Sequence, residues 1–269
     1  MLTVLISAAV GCGCFFAASG PGDLGFGWRL FLGVLSFAVA QGVATFMIQR
    51  RVKRDMEEVQ SILLGGQKKI QQKMQRWPMR PPGSVQAAQK EIFEDTKVFV
   101  KEALAQTDNL RKYRLWVPMM ERQIATARLQ LSWMIKDFRE VDRLMPKAVL
   151  MDPTMRCMKM ARMQMLGEPL EEISKVYRKG VARVRYNENV LLAATMSWIQ
   201  VKRDDIDGAF KTLAEAMKKS DDETLRKNHE ALMNNKVARF TNSGLGDRWY
   251  SLLLEEPKVR MQRQRVAYR

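Results

Sequence analysis

An all-α fold with an apolar N-terminal end is what this sequence predicts, and three observations predict it. Residues 2–19 and 28–48 are two apolar runs almost free of charge. From Ser84 onward no stretch alternates apolar and polar residues for long enough to make a strand, whereas apolar residues spaced by threes and fours recur continuously. The charge is also segregated. Of a net +16, residues 50–83 carry nine basic and three acidic side chains, and residues 258–269 carry five basic and none acidic. The intervening 84–257 is only mildly basic, with thirty against twenty-five. At 269 residues and 46% hydrophobic content the chain can bury a sizeable core, which excludes disorder throughout.

The first run, LTVLISAAVGCGCFFAAS, would make a helix of roughly 27 Å, close to a bilayer core of about 30 Å. The second, Trp28 to Ile48, has Arg29 at its start and Gln41 as its only strongly polar interior residue. A Gly-rich break containing Pro21 separates them, so a two-helix transmembrane hairpin over 1–49 is expected. Ser7 and Gly11 on one helix and Ser36, Ala40 and Ala44 on the other supply small residues for close packing, and Gln41 is placed to bond across. Two other readings stay open: a cleaved signal, disfavoured by the missing basic residue before Cys12, and a single anchor at 28–48 with the repeat region on the other side. Arg50, Arg51, Lys53 and Arg54 follow the second run, and by the positive-inside rule they place the large domain in the cytoplasm, at a bacterial-type inner membrane.

Residues 50–83 read as a basic helical stalk and Pro-rich linker. Val52, Met56, Val59, Leu63, Ile70, Met74 and Trp77 form its apolar stripe, Gly65-Gly66 interrupts it and Trp77-Pro78 ends it. It is either a coiled-coil or lipid-facing element, with Lys68, Lys69, Lys73 and Arg76 near anionic headgroups, or a solvated spacer; self-association through it or the membrane helices follows from the first reading.

The body, 84–257, opens with helices at 84–107 and 108–134, the second bent at Pro118. A pattern then recurs: Val141, Met145, Ala148; Ile173, Tyr177, Gly180; Ala209, Leu213, Ala216. In each, the second and third members follow the first at +4 and +7, and the first members are 32 and 36 residues apart. Lys136-Asp137-Phe138 supplies a turn and Asp152-Pro153 closes the first unit. This resembles the tetratricopeptide repeat, whose unit is about 34 residues with small and large apolar residues at these offsets. The resemblance covers about 115–222 in three degenerate units. It implies a TPR-like right-handed stack of antiparallel helical hairpins, in which each unit buries its apolar face only against its neighbours. The second unit carries Gly167-Glu168-Pro169 at its turn and lacks the closing Pro, and the third closes with Ser220-Asp221-Asp222. Residues 223–239 are expected as a closing helix. Asp247 is expected to cap a last helix, DRWYSLLLEE, whose Trp249, Tyr250 and Leu253 cover the final edge.

Little in this sequence points to catalysis. Three cysteines and one histidine make neither a disulfide framework nor a four-ligand zinc centre. Gly65-Gly66-Gln67-Lys68-Lys69 lacks the spacing and the Ser or Thr of a phosphate loop, and Cys157 with His229 lacks an orienting third group. No catalytic residue, cofactor or metal is therefore expected. In the repeat register Met160 and Ala161 face the paired helix. Met155, Met158, Arg162 and Met165 line the concave face, with Leu191, Ala194, Trp198 and Lys202 after them and Thr126, Gln130 and Trp133 before. Met, Trp and Arg suit a peptide or helix from a protein partner; the alternative is Met as core filler. The tail, with Lys258, Arg260, Arg263 and Arg265, fits anionic lipid, nucleic acid or ribosomes, although Tyr268 is its only stacking residue and no recognition module accompanies it. The expectation is a non-enzymatic membrane scaffold for a protein partner, with a nucleic-acid or ribosome tether as the alternative.

Overall fold

A computed structural model describes residues 2–18, 25–77 and 84–257, which contain helices and no strand. The chain divides into two compact units, Met1–Val149 and Leu150–Arg269. The division falls inside the segment read as one repeat domain, and the stalk belongs with the first unit.

In the first unit α1 (Leu2–Ala17) packs on the start of α2 (Phe26–Arg76), and the two run antiparallel. Small residues permit the approach. A Cβ on Gly11 would stand 2.9 Å from the Gly33 carbonyl oxygen and 2.9 Å from the Phe37 Cβ. One turn away, Ser7 Oγ donates to Gln41 Oε1 at 2.9 Å, the cross-helix bond the sequence suggests. The contact stripe on α2 is thus Gly33, Phe37 and Gln41, flanked by half-buried Ser36, Ala40 and Ala44.

α2 continues unbroken for 51 residues, so Gly65-Gly66 does not interrupt it. Gly66 serves another purpose: the ring of Phe99, from α3 (Val85–Thr107), occupies the space where its Cβ would be. Ser84 Oγ caps α3 by accepting from Ala87 N. α3 runs back along α2, and Val59 packs with Phe99, Val100 and Ala103, with Ile62, Leu63 and Ile70 at the edge. Lys73 bridges to Glu91 and Asp95, both at 2.6 Å, and these hydrogen bonds hold its ammonium above its usual range. The apolar stripe of the stalk is therefore covered by the chain's own helices as far as Ile70, while Met74 stays 46% exposed, and Lys73 points to carboxylates on α3.

A 3-10 turn, Asp108–Tyr113, then crosses α2 one step closer to the apolar end. Leu110 and Tyr113 join Met120 and Ile124 of α4 (Met120–Met134) against Ile48, Val52 and Met56. Where one bent helix over 108–134 is expected, the chain breaks, because Pro118 has no N–H to donate and Met119 adopts φ 64. Asp55, 5% exposed, fixes the crossing by accepting from Tyr113 Oη (3.1 Å) and Lys112 Nζ (2.8 Å). Burial pushes its carboxyl up, but the bonds from Lys112 and Tyr113 and the charges of Lys112 and Arg54 outweigh this and hold it below 3.8. α5 (Phe138–Leu144) closes the unit, capped by Asp137, which accepts from Glu140 N.

The second unit holds α6 (Pro153–Met165), α7 (Leu170–Val181), α8 (Val190–Lys202), α9 (Ile206–Met217) and α10 (Glu223–Met233). α8 is central, buried from Val190 through Gln200. The expected helix over 223–239 stops at Met233, since Asn235 turns at φ 51, and only a 3-10 turn follows at Val237–Arg239. The expected last helix is reduced to α11 (Asp247–Tyr250), with Gly246 instead of Asp247 at the cap position. Leu253, at φ 58, turns the chain again.

One device recurs across both units. α4, α6, α8 and α10 each end in a left-handed residue: Lys136, Gly167, Asp204 and Asn235. In each case the next N–H reaches back five residues, Asp137 to Ser132, Glu168 to Met163, Asp205 to Gln200 and Lys236 to Ala231. This is the Schellman closure, and it repeats at intervals of 31, 37 and 31 residues.

Two outcomes follow. Gly66→Val should lower the stability of the full chain in detergent by about 1–3 kcal/mol in a denaturant titration, whereas Gly65→Ala, in open space, should be neutral or slightly stabilising. A carboxyl depressed by folding contributes fully above its unfolded value and loses that contribution as pH falls through its folded one. The difference in denaturation midpoint between the native chain and Asp55→Asn should therefore be steady near neutrality and shrink as acidification passes below the usual carboxylate range.

Candidate partner-binding surface

The residues expected on a concave face do not form one open surface. Trp133, 1% exposed, is core in the first unit and meets Phe138 edge-on with ring centres 5.7 Å apart; Gln130 is exposed. In the second unit Met155 (1%), Met158 (9%) and Trp198 (8%) are buried, as are Leu191 and Ala194. Met160 and Ala161, expected against the paired helix, are fully buried.

The cover over α8 comes from the chain itself. Asn242 Nδ2 donates to the Ala194 carbonyl (2.9 Å), and Asn228 Nδ2 donates to Asn242 Oδ1 (2.8 Å), which fixes the loop before α11. Trp249 and Leu252 follow, each with no exposed surface. The Glu255 carboxylate then accepts from two indoles, Trp198 Nε1 and Trp249 Nε1, each at 2.8 Å. The two rings lie 5.8 Å apart, and Lys202 Nζ stands 5.3 Å from the Trp198 ring centre. Lys202 thus lies over the Trp198 ring, whose indole N–H is taken by the half-buried Glu255 carboxylate. Register alone could not reveal this, because the covering residues lie 48 or more positions further along the chain. Glu255 is the residue that sequence reasoning missed, and Trp249 at an expected edge was its only signal.

What stays open is the C-terminal end of α6 and α8. Arg203 Nε donates to Gln164 Oε1 at 2.8 Å and ties these ends together. Around it Arg162 is half-buried, Met165 and Leu166 are 37% and 56% exposed, and Lys202 is exposed. The side chains at this end are basic and apolar, with exposed Glu168 and Asp204 among them.

Arg50, Arg51 and Arg54 are exposed on α2 directly after exposed Phe46 and Met47, and Lys53, also exposed, lies 3.8 Å from Glu57. Lys258, Arg260, Arg263 and Arg265 fall outside the described residues. Burial pushes the Cys157 thiol up to about 12, even against its bond with Thr195, so it is protonated at neutral pH. His229 stacks on Phe210 with centres 4.4 Å apart. Among the described residues no His, Cys, Asp and Glu group has metal-site geometry.

Arg156 on α6 is 8% exposed, and its side chain packs against Gly180 with no acceptor for its Nε. Burial, and then the charge of Arg183, pull its ionisation below the usual range. A buried cation without a counter-charge costs stability that an apolar stem of similar length avoids. Arg156→Met should therefore slow labelling of the buried Cys157 thiol by about three- to tenfold, for a gain of about 1 kcal/mol, in a chain whose Cys12 and Cys14 are replaced by Ser.

Compared with protein-family models, curated proteins and solved structures, the chain matches none.

Proposed function

We propose that the protein is a membrane-anchored, non-enzymatic helical scaffold that binds a protein partner at the cytoplasmic surface of a bacterial-type inner membrane. The observation that carries the anchor is the exposure of apolar residues on α1 and the first half of α2. Only 6% of the apolar 18-residue window of α2 is buried within the protein. Val4, Leu5, Phe16, Phe31, Val39 and Phe46 are each 47% or more exposed. An apolar surface of this extent costs too much in water and suits hydrocarbon. The Ser7–Gln41 bond satisfies polar groups inside the pair and the Gly11–Gly33 approach packs the helices closely, which favours two spans over a cleaved leader. Arg50, Arg51, Lys53 and Arg54 then set the helical units on the cytoplasmic side.

The repeated helix closure at Lys136, Gly167, Asp204 and Asn235, with Ile173 and Gly180 and all of Ala209, Leu213 and Ala216 buried, supports a TPR-like stack. Docking falls to the patch of Arg162, Met165, Leu166 and Lys202, where binding would concentrate a partner at the membrane.

The full chain should stay in the membrane pellet after an alkaline wash, and a C-terminal phosphatase or fluorescent-protein fusion should report the cytoplasmic side; release by the wash would remove the anchor. Arg162→Glu with Lys202→Glu should reduce crosslinking to a protein partner in native membranes at least about tenfold, on the scale of two lost charged contacts. An unchanged crosslinking pattern would remove the docking surface while leaving the anchor in place.

A further inference from the structure

The connection between Tyr113 and Met120 has an unusual composition for a loop. Its sequence, Arg114-Leu115-Trp116-Val117-Pro118-Met119, holds one charge and five apolar residues, where connections normally carry Gly, Asn, Asp or Ser. Both ends are held, since Tyr113 (7% exposed) and Met120 (2%) are core residues against Ile48, Val52 and Met56. Between these fixed points the chain projects outward. Leu115 is 59% exposed, Met119 is 55% exposed in its left-handed conformation, and Trp116 is half-buried.

Its height along α2 explains the exposure. Leu2 N, in the first turn of α1, donates to the Leu115 carbonyl at 3.0 Å. Trp116, Val117 and Pro118 line a hollow of about 280 Å³ together with Thr3, Thr45 and Ile48. The loop is therefore level with the end of α1 and with the last apolar turn of α2, just before Arg50 and Arg51. An aliphatic tip, a tryptophan and adjacent cations at that depth match the interfacial zone of a bilayer containing anionic lipid.

We propose that residues 114–119 form an interfacial foot that inserts Leu115 and Met119 among the headgroups and upper acyl chains beside the anchor. This inference rests on the reading of α1 and α2 as an anchor. The foot clamps the first unit against the lipid surface, because the segments on either side of it pack on α2 through Asp55, Tyr113 and Met120. The occupant is lipid and not a second protein surface, because Trp116, Val117 and Pro118 share their hollow with Val4, part of the exposed apolar surface of α1, and Arg50 and Arg51 follow Ile48 within one turn of α2.

The test uses the full chain with Cys12, Cys14 and Cys157 replaced, reconstituted in vesicles of phosphatidylcholine and phosphatidylglycerol. An environment-sensitive dye is attached singly through Leu115→Cys, Met119→Cys, Val39→Cys or Val98→Cys. Val39 (58% exposed) reports the anchor, and Val98 (70% exposed) on α3 reports water. Dye at 115 and 119 should be blue-shifted relative to 98 and quenched at least twofold more by lipids brominated near the headgroup than by those brominated deep in the chain; dye at 39 should show the reverse preference. If 39 is quenched by lipid while 115 and 119 behave like 98, the foot is wrong and the anchor stands. If 115 and 119 are blue-shifted without lipid quenching, protein covers them and the proposal is overturned. If 39 is also unquenched, the anchor fails and the foot with it.

Discussion

The first unit depends on a single constraint: α2 must present an apolar surface to two different surroundings along one continuous helix. A 51-residue helix at about 1.5 Å per residue reaches roughly 75 Å, too long to be stabilised from one end. Up to Ile48 its exposed residues are almost all apolar, and after it the exposed face becomes charged while the apolar positions narrow to a stripe. Beyond Ile48 that stripe needs cover, and the 3-10 crossing, α4 and α3 provide it in succession. Gly66 and Asp55 are the two points where the cover is tightest, one by allowing a ring against the backbone and the other by satisfying a buried carboxylate with a tyrosine and a lysine.

Local chemistry was the legible part of the sequence. Asp137, Asp152 and Ser84 all stand where a helix begins, and each accepts a backbone N–H there. Ile173 and Gly180, and Ala209, Leu213 and Ala216, were identifiable as buried from spacing alone, because a helix puts such positions on one face. Gly65-Gly66 was misread for a physical reason. A glycine pair weakens a helix by propensity, but a neighbour that fills the missing Cβ volume restores more than is lost, and Phe99 lies 33 positions away. Pro118 was read as a bend because its effect depends on whether the flanking residues have better places to be, and Tyr113 and Met120 do.

The concave surface failed at long range. Met160 and Ala161 are buried, but so are Met155 and Met158, expected on the open face, so burial does not separate the two sides of α6. What lies on top of α8 could not be read from periodicity, because Asn242, Trp249 and Glu255 come from an irregular segment whose path is set by hydrogen bonds to Ala194 and the two indoles. Arg156 was hidden for the opposite reason: a lone charge between Met155 and Cys157 reads as surface, yet it lies beside Gly180.

The dependence of α8 on Trp249, Leu252 and Glu255 sets an order for biosynthesis. α1 and α2 leave the ribosome before the second unit, which cannot seal its central helix until residue 255 has emerged. Until then Trp198 and its apolar neighbours lack their lid, so a nascent chain paused earlier would offer chaperones and proteases a hydrophobic strip.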